Sequence, residues 1–135
     1  MDSPAERRTL HRIEIPGTKV VYRKPGGIDL FNTYSKPVEL INISKGGMCI
    51  TVTESFDFGD SLAMKVYFPD GEKLKLKGQV RWQKPESSNG SYTVGIQFFA
   101  FGYQRKYNAV KSLDYLRTLK DQSVSAAKQQ VNAEV

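Results

Sequence analysis

The chain has 135 residues, of which 39% are hydrophobic and 25% charged, which is enough for one domain with its own core. The lone Cys49 excludes an internal disulfide and a multi-cysteine zinc site. No stretch approaches the roughly 18 consecutive apolar residues that span a bilayer. The formal net charge of +6 favours an anionic partner: nucleotide, nucleic acid or membrane surface. Residues 1–24 hold six Lys and Arg against three acids, and residues 102–122 hold five against two.

Residues 1–17 read as a basic arm, polar and broken by Pro4, Pro16 and Gly17, with no strand alternation. No apolar run follows the first charges, so a secretory signal is not expected and a cytoplasmic location is. Residues 18–101 read as β throughout. Val20 and Tyr22 begin it; Val38, Leu40, Ile41 and Ile43 follow, then Met48, Ile50 and Val52. Leu62, Met64, Val66 and Phe68 recur at every second position. So do Leu74, Leu76, Gly78, Val80 and Trp82, with Lys73, Lys75, Lys77 and Arg81 on the opposite face. Tyr92, Val94, Ile96 and Phe98 form the last strand. Period two marks half-buried antiparallel strands.

Turn chemistry separates these runs, most clearly at Pro69-Asp70-Gly71, a hairpin between two strong strands. About six strands in this length predict an all-β, six-stranded antiparallel barrel, because closure removes exposed edges. The period then changes: Tyr103, Tyr107, Val110, Leu113, Leu116 and Leu119 predict an amphipathic C-terminal helix over 102–122. Residues 123–135, rich in Ser, Ala and Gln, are expected to be a frayed tail.

Two short stretches carry candidate chemistry. Arg7-Arg8-Thr9-Leu10-His11-Arg12 is an RRxxxR arrangement. The four-residue spacing of Arg8 and Arg12 lets two planar guanidinium forks converge on a phosphate or on the O6/N7 edge of guanine. Alone, it reads sooner as a solvated basic arm, since charge runs usually face solvent. Asn42-Ile43-Ser44-Lys45-Gly46-Gly47 is an NxSxxG turn leaving a strand. Asn42 and Ser44 share a face and offer donors and acceptors, and Gly47 permits a positive φ or close ligand approach. Alone, it reads sooner as an ordinary turn between strands.

Trp82 continues the face of Leu74, Leu76 and Val80, which suggests core or rim packing, while its place near a strand end suits stacking on a base. The lysine stripe reads as a solubilising outer face. An oligonucleotide-binding barrel would need aromatics on that face, and the strand itself has none, so nucleic acid is not expected as a partner. No nucleophile elbow, metalloprotease helix or phosphate loop occurs, and a chain with one His and one Cys is not expected to be an enzyme.

Taken in order, RxxxR, a strand-ending NxSxxG, Gly78-Gln79-Val80-Arg81-Trp82 and Val94-Gly95-Ile96-Gln97-Phe98 resemble the PilZ domain family over about residues 5–120. The resemblance implies a PilZ-like barrel with a C-terminal helix that binds the bacterial second messenger cyclic di-GMP, with no cofactor. It assigns ligand contacts to Arg8 and Arg12 and to Asn42, Ser44 and Gly47, with Asn42 standing where many members have Asp. Family members with an arginine at the position of Arg7 look built for a stacked, intercalated ligand dimer. The implied mechanism is ordering of the arm by the dianion, read by an unknown downstream protein partner. A PilZ-like interaction module without nucleotide binding, or a basic oligonucleotide-binding barrel, stays open as an alternative.

Overall fold

The computed structural model describes residues 12–25, 33–86 and 90–119. Six strands, β1 (Lys19–Arg23), β2 (Val38–Ile43), β3 (Gly47–Val52), β4 (Ser61–Tyr67), β5 (Lys73–Pro85) and β6 (Tyr92–Phe98), form a closed antiparallel barrel in the order β1-β2-β3-β6-β5-β4. The wall closes where β1 pairs β4, from Lys19↔Tyr67 to Arg23↔Ala63. The alternation read from the sequence fills the interior: Val20, Ile43, Ile50, Leu62, Met64, Leu76, Val80 and Val94 are all buried. The expected 69–71 hairpin is present. Gly71 takes a φ of 91°, its amide donates to the Phe68 carbonyl at 3.0 Å, and the Asp70 carboxylate accepts from the Glu72 amide at 2.9 Å.

Two bulges interrupt the alternation. In β5 the register steps from Val80↔Ile96 to Trp82↔Gly95, so Arg81 is the extra residue. An inserted residue moves every later side chain to the other face. Trp82 therefore leaves the face of Leu74, Leu76 and Val80 and is 39% exposed on the outer wall, which corrects the expectation of a shared inner face. In β2 the step runs from Leu40↔Ile50 to Asn42↔Cys49.

The helix, α1, occupies 110–119 of the described residues and starts later than the predicted 102. Residues 101–108 instead form turns and bends, with left-handed Gly102 (φ 92°) and Asn108 (φ 54°). Leu116 and Leu119 are buried, whereas Val110 is 56% exposed. Steps of three residues each lag a full turn by about 60°, so Val110 and Leu119 lie on opposite faces. The Asn108 side chain fills the bend. Its Nδ2 donates to the carbonyls of Lys77 and Phe99 at 3.0 and 2.9 Å, and its Oδ1 accepts from the Lys77 amide at 2.7 Å.

Residues 1–11 of the expected arm and the expected tail over 123–135 lie outside the described residues, but the barrel end of the arm is packed. Ile13 is buried and bridges Ile43 through two backbone hydrogen bonds of 2.8 and 2.9 Å, and Ile15 packs against the core. Two apolar side chains in a short polar stretch suffice to hold it down.

Candidate functional site

Strand register assembles one outer row across four strands. Asn42 pairs Cys49, Cys49 pairs Gly95, and Gly95 pairs Trp82. Cys49 is buried yet lies outside the core cluster, and Arg12 Nη1 donates to its Sγ at 3.4 Å. Gly95 is where Trp82 lies down: a Cβ there would stand 2.1 Å from the indole Nε1 and 2.2 Å from Cε2. The indole therefore rests flat on the glycine backbone, with part of its surface left to solvent. Arg81, on the outer face beside Trp82, sets its guanidinium 5.5 Å from the ring centre of exposed Phe58.

The second motif lies at the β2 end of this row. The Ser44 Oγ accepts from the Gly46 amide at 3.1 Å, and the Ser44 amide donates to the Gly47 carbonyl at 2.8 Å. Ser44 is buried and braces the turn, its hydroxyl already engaged. The Asn42 Oδ1 is buried and has no hydrogen-bond partner among the described residues. A buried acceptor left unpaired is costly, which makes this oxygen a natural seat for a donor. Gly47 does not take a positive φ. It is required for packing, since a Cβ would lie 2.2 Å from the Ile96 carbonyl oxygen of β6.

Thus Arg12, Asn42, Ser44, Gly47 and Trp82 gather on one outer region, whereas Arg7 and Arg8 lie outside the described residues. Cys49 and Gly95 were missed from the sequence because neither looks functional alone. Only the register places them between Asn42 and Trp82.

A second outer region surrounds the lysine stripe. Arg23–Ala63–Lys77, Val21–Lys65–Lys75 and Lys19–Tyr67–Lys73 are rows across β1, β4 and β5. Tyr67 stands in the wall, and Tyr34 and Tyr107 arrive from the loops. Lys65 Nζ lies 4.4 Å from the Tyr34 ring centre, Lys77 Nζ 4.6 Å from Tyr107 and Lys73 Nζ 5.7 Å from Tyr67. The face does carry aromatics, supplied by other elements. The hydroxyls of Tyr34 and Tyr107 are 2.8 Å apart, and Arg23 Nη2 donates to Tyr107 at 3.4 Å. Burial alone would raise the Tyr107 pKa, but the bonds to Tyr34 and Arg23 outweigh it and the value falls below the usual phenol. Burial, together with the same Tyr107 bond, pushes Tyr34 up.

The PilZ domain family model matches residues 6–102. The chain belongs to the PilZ domain family. Solved structures similar to this PilZ domain include YcgR from Escherichia coli in complex with c-di-GMP (TM-score 0.70, 14% identity, covering 96% of this chain and 51% of that one). The K. pneumonia MrkH–c-di-GMP complex is similar at TM-score 0.66 and 13% identity, over 92% and 55% of the two chains. The Bacillus subtilis inhibitor of motility, MotI/DgrA, is similar at TM-score 0.63 and 16% identity, over 98% and 57%. Identities this low show a shared fold, and this PilZ domain spans about half the length of each. No curated protein matches its sequence.

Proposed function

We propose that this PilZ domain is a cyclic di-GMP receptor, a binding protein and not an enzyme, with its ligand on the outer row of Arg12, Asn42 and Trp82. The observation that carries the reading is the Asn42–Cys49–Gly95–Trp82 register. One guanine stacks on the exposed indole at one end, and the other end offers Arg12 and the unpaired Asn42 oxygen. Membership of the family and c-di-GMP in the YcgR and MrkH complexes support the ligand class. Arg8 supplies a second guanidinium, and Ser44 and Gly47 act by fixing the turn that presents Asn42.

The test is calorimetric titration with cyclic di-GMP, with GTP as control. Arg8→Ala and Arg12→Ala each weaken binding by about 1.5–3 kcal/mol, the range for charge-assisted hydrogen bonds, without lowering the melting temperature. Wild-type affinity in the double variant would remove the site. The signal is ordering of the segment ahead of Ile13: amide exchange there slows on ligand addition, while the Ile13 amide, already bonded to Ile43, is protected in both states. Equal exchange with and without ligand would leave a binding site and no switch. Arg7 favours two stacked ligands per chain, because a third guanidinium offsets repulsion among four phosphates. A titration well above Kd should break at two ligands per chain, and at one in Arg7→Leu; a break at one in the wild type would leave Arg7 as a steering charge.

A further inference from the structure

We propose that the outer face of β1, β4 and the first half of β5 binds single-stranded nucleic acid, separately from the cyclic di-GMP site. The closed strand order sets β4 and β1 apart from the β3–β6 wall that carries Cys49 and Gly95. Only β5 contributes to both regions, with its lysine half before the bulge and Trp82 after it.

This face is strongly basic. Lys19, Arg23, Lys65, Lys73, Lys75 and Lys77 share this face through three register rows. Among the described residues only Lys19 has a carboxylate partner, Glu39; Lys65, Lys73, Lys75 and Lys77 form no ion pair. Lys73, Lys75 and Lys77 follow one another at roughly 6.6 Å along the strand, a linear track suited to an anion with repeating charges. A merely solubilising surface carries both signs interspersed, and this face carries one.

Aromatic rings stand beside the charges. Tyr34, Tyr67 and Tyr107 each hold a lysine ammonium near the ring, within 4.4 to 5.7 Å of its centre. Each pair therefore presents a cation and a flat π surface together. A phosphate takes the ammonium while a neighbouring base stacks on the tyrosine, the combination that binds unpaired strands with little sequence preference. Tyr67, 38% exposed and in register between Lys19 and Lys73, is the most open platform. A duplex keeps its base faces stacked internally and makes no use of such rings. An acidic peptide has the charge but lacks the planar bases.

The test is fluorescence anisotropy of the full chain with a labelled single-stranded oligonucleotide of about 15 nucleotides. Binding should weaken with salt with a log–log slope of about −3, as for four phosphate contacts. The Lys65→Gln/Lys75→Gln double variant should lose about tenfold in affinity at low salt and flatten the slope by about 1.4. Tyr67→Thr, which keeps strand propensity, should lose about tenfold with no change of slope. No binding at low salt would overturn the proposal. So would wild-type affinity in Tyr67→Thr with equal displacement by poly-glutamate, the signature of a general polyanion surface. Cyclic di-GMP titration of the lysine variant should match wild type, so this face and the messenger site stand or fall separately.

Discussion

Two glycines show how one missing Cβ acts through different neighbours. At Gly95 the obstructed neighbour is the Trp82 indole, a side chain that can swing away. Gly95→Ala should therefore leave the fold intact and evict the ring. Trp82 is the single tryptophan, so its emission should shift to the red. Affinity for cyclic di-GMP should fall about tenfold through the lost stacking. Unchanged emission with unchanged affinity would show that the indole does not rest there. At Gly47 the neighbour is the Ile96 carbonyl, part of the β3–β6 ladder. Backbone has nowhere to go, so Gly47→Ala should cost about 1–3 kcal/mol of stability in denaturant unfolding. A motif glycine that reads as a ligand contact is here a condition for the wall that bears the contact.

At the scale of elements, the segment after β6 depends on one buried polar side chain. Asn108 satisfies the Lys77 amide and the carbonyls of Lys77 and Phe99 on the β6 side of β5, just beyond the first β5–β6 pair at Gly78, and it does so from a left-handed conformation. Asn108→Ala should destabilise by about 2–4 kcal/mol, because the Lys77 amide and the Phe99 carbonyl lose their Asn108 partner, while the Lys77 carbonyl keeps only the Phe99 amide at 3.0 Å. An effect under half that would mean water replaces the amide. α1 is docked by Leu116 and Leu119, by the Tyr115 ring edge-on to Phe68 at 5.0 Å, and by the Tyr115 hydroxyl donating to Asp70 at 2.7 Å. That bond, with the Glu72 amide, holds the Asp70 carboxyl below its ordinary pKa. A depressed folded-state value contributes stability at neutral pH and loses it as pH falls through that value. Tyr115→Phe should lower the melting temperature slightly at pH 7, and the difference should shrink below about pH 4 as Asp70 protonates. A difference independent of pH would place the effect in packing.

Across the whole molecule the seams of the barrel are unequal. β1 and β2 share two residue pairs, whereas β4 and β5 share seven. Amide exchange should be faster for Val38–Leu40 than for Leu74–Leu76, since a short ladder opens at lower cost; equal rates would mean the barrel opens only as a unit. The strands themselves were legible in the sequence, because burial of one face imposes period two on Leu62–Phe68 and Leu74–Val80 whatever they pair with. The Asp70-Gly71 turn was legible for a similar reason: its chemistry is local. The order of RxxxR and NxSxxG carried the family. Tertiary structure decided the rest. Trp82 faces outward because β5 takes an extra residue against β6, and a bulge is a property of two strands and not of one. Cys49 and Gly95 join Asn42 and Trp82 only through pairing across four strands. Tyr34 meets Lys65 of β4, and Tyr67 and Tyr107 meet Lys73 and Lys77 of β5, because tertiary pairing brings β1, β4, β5 and the segment after β6 to one wall. Local alternation sets which residues share a face along an unbroken strand, but where a bulge reverses that alternation, and which faces become neighbours, depends on contacts far apart along the chain.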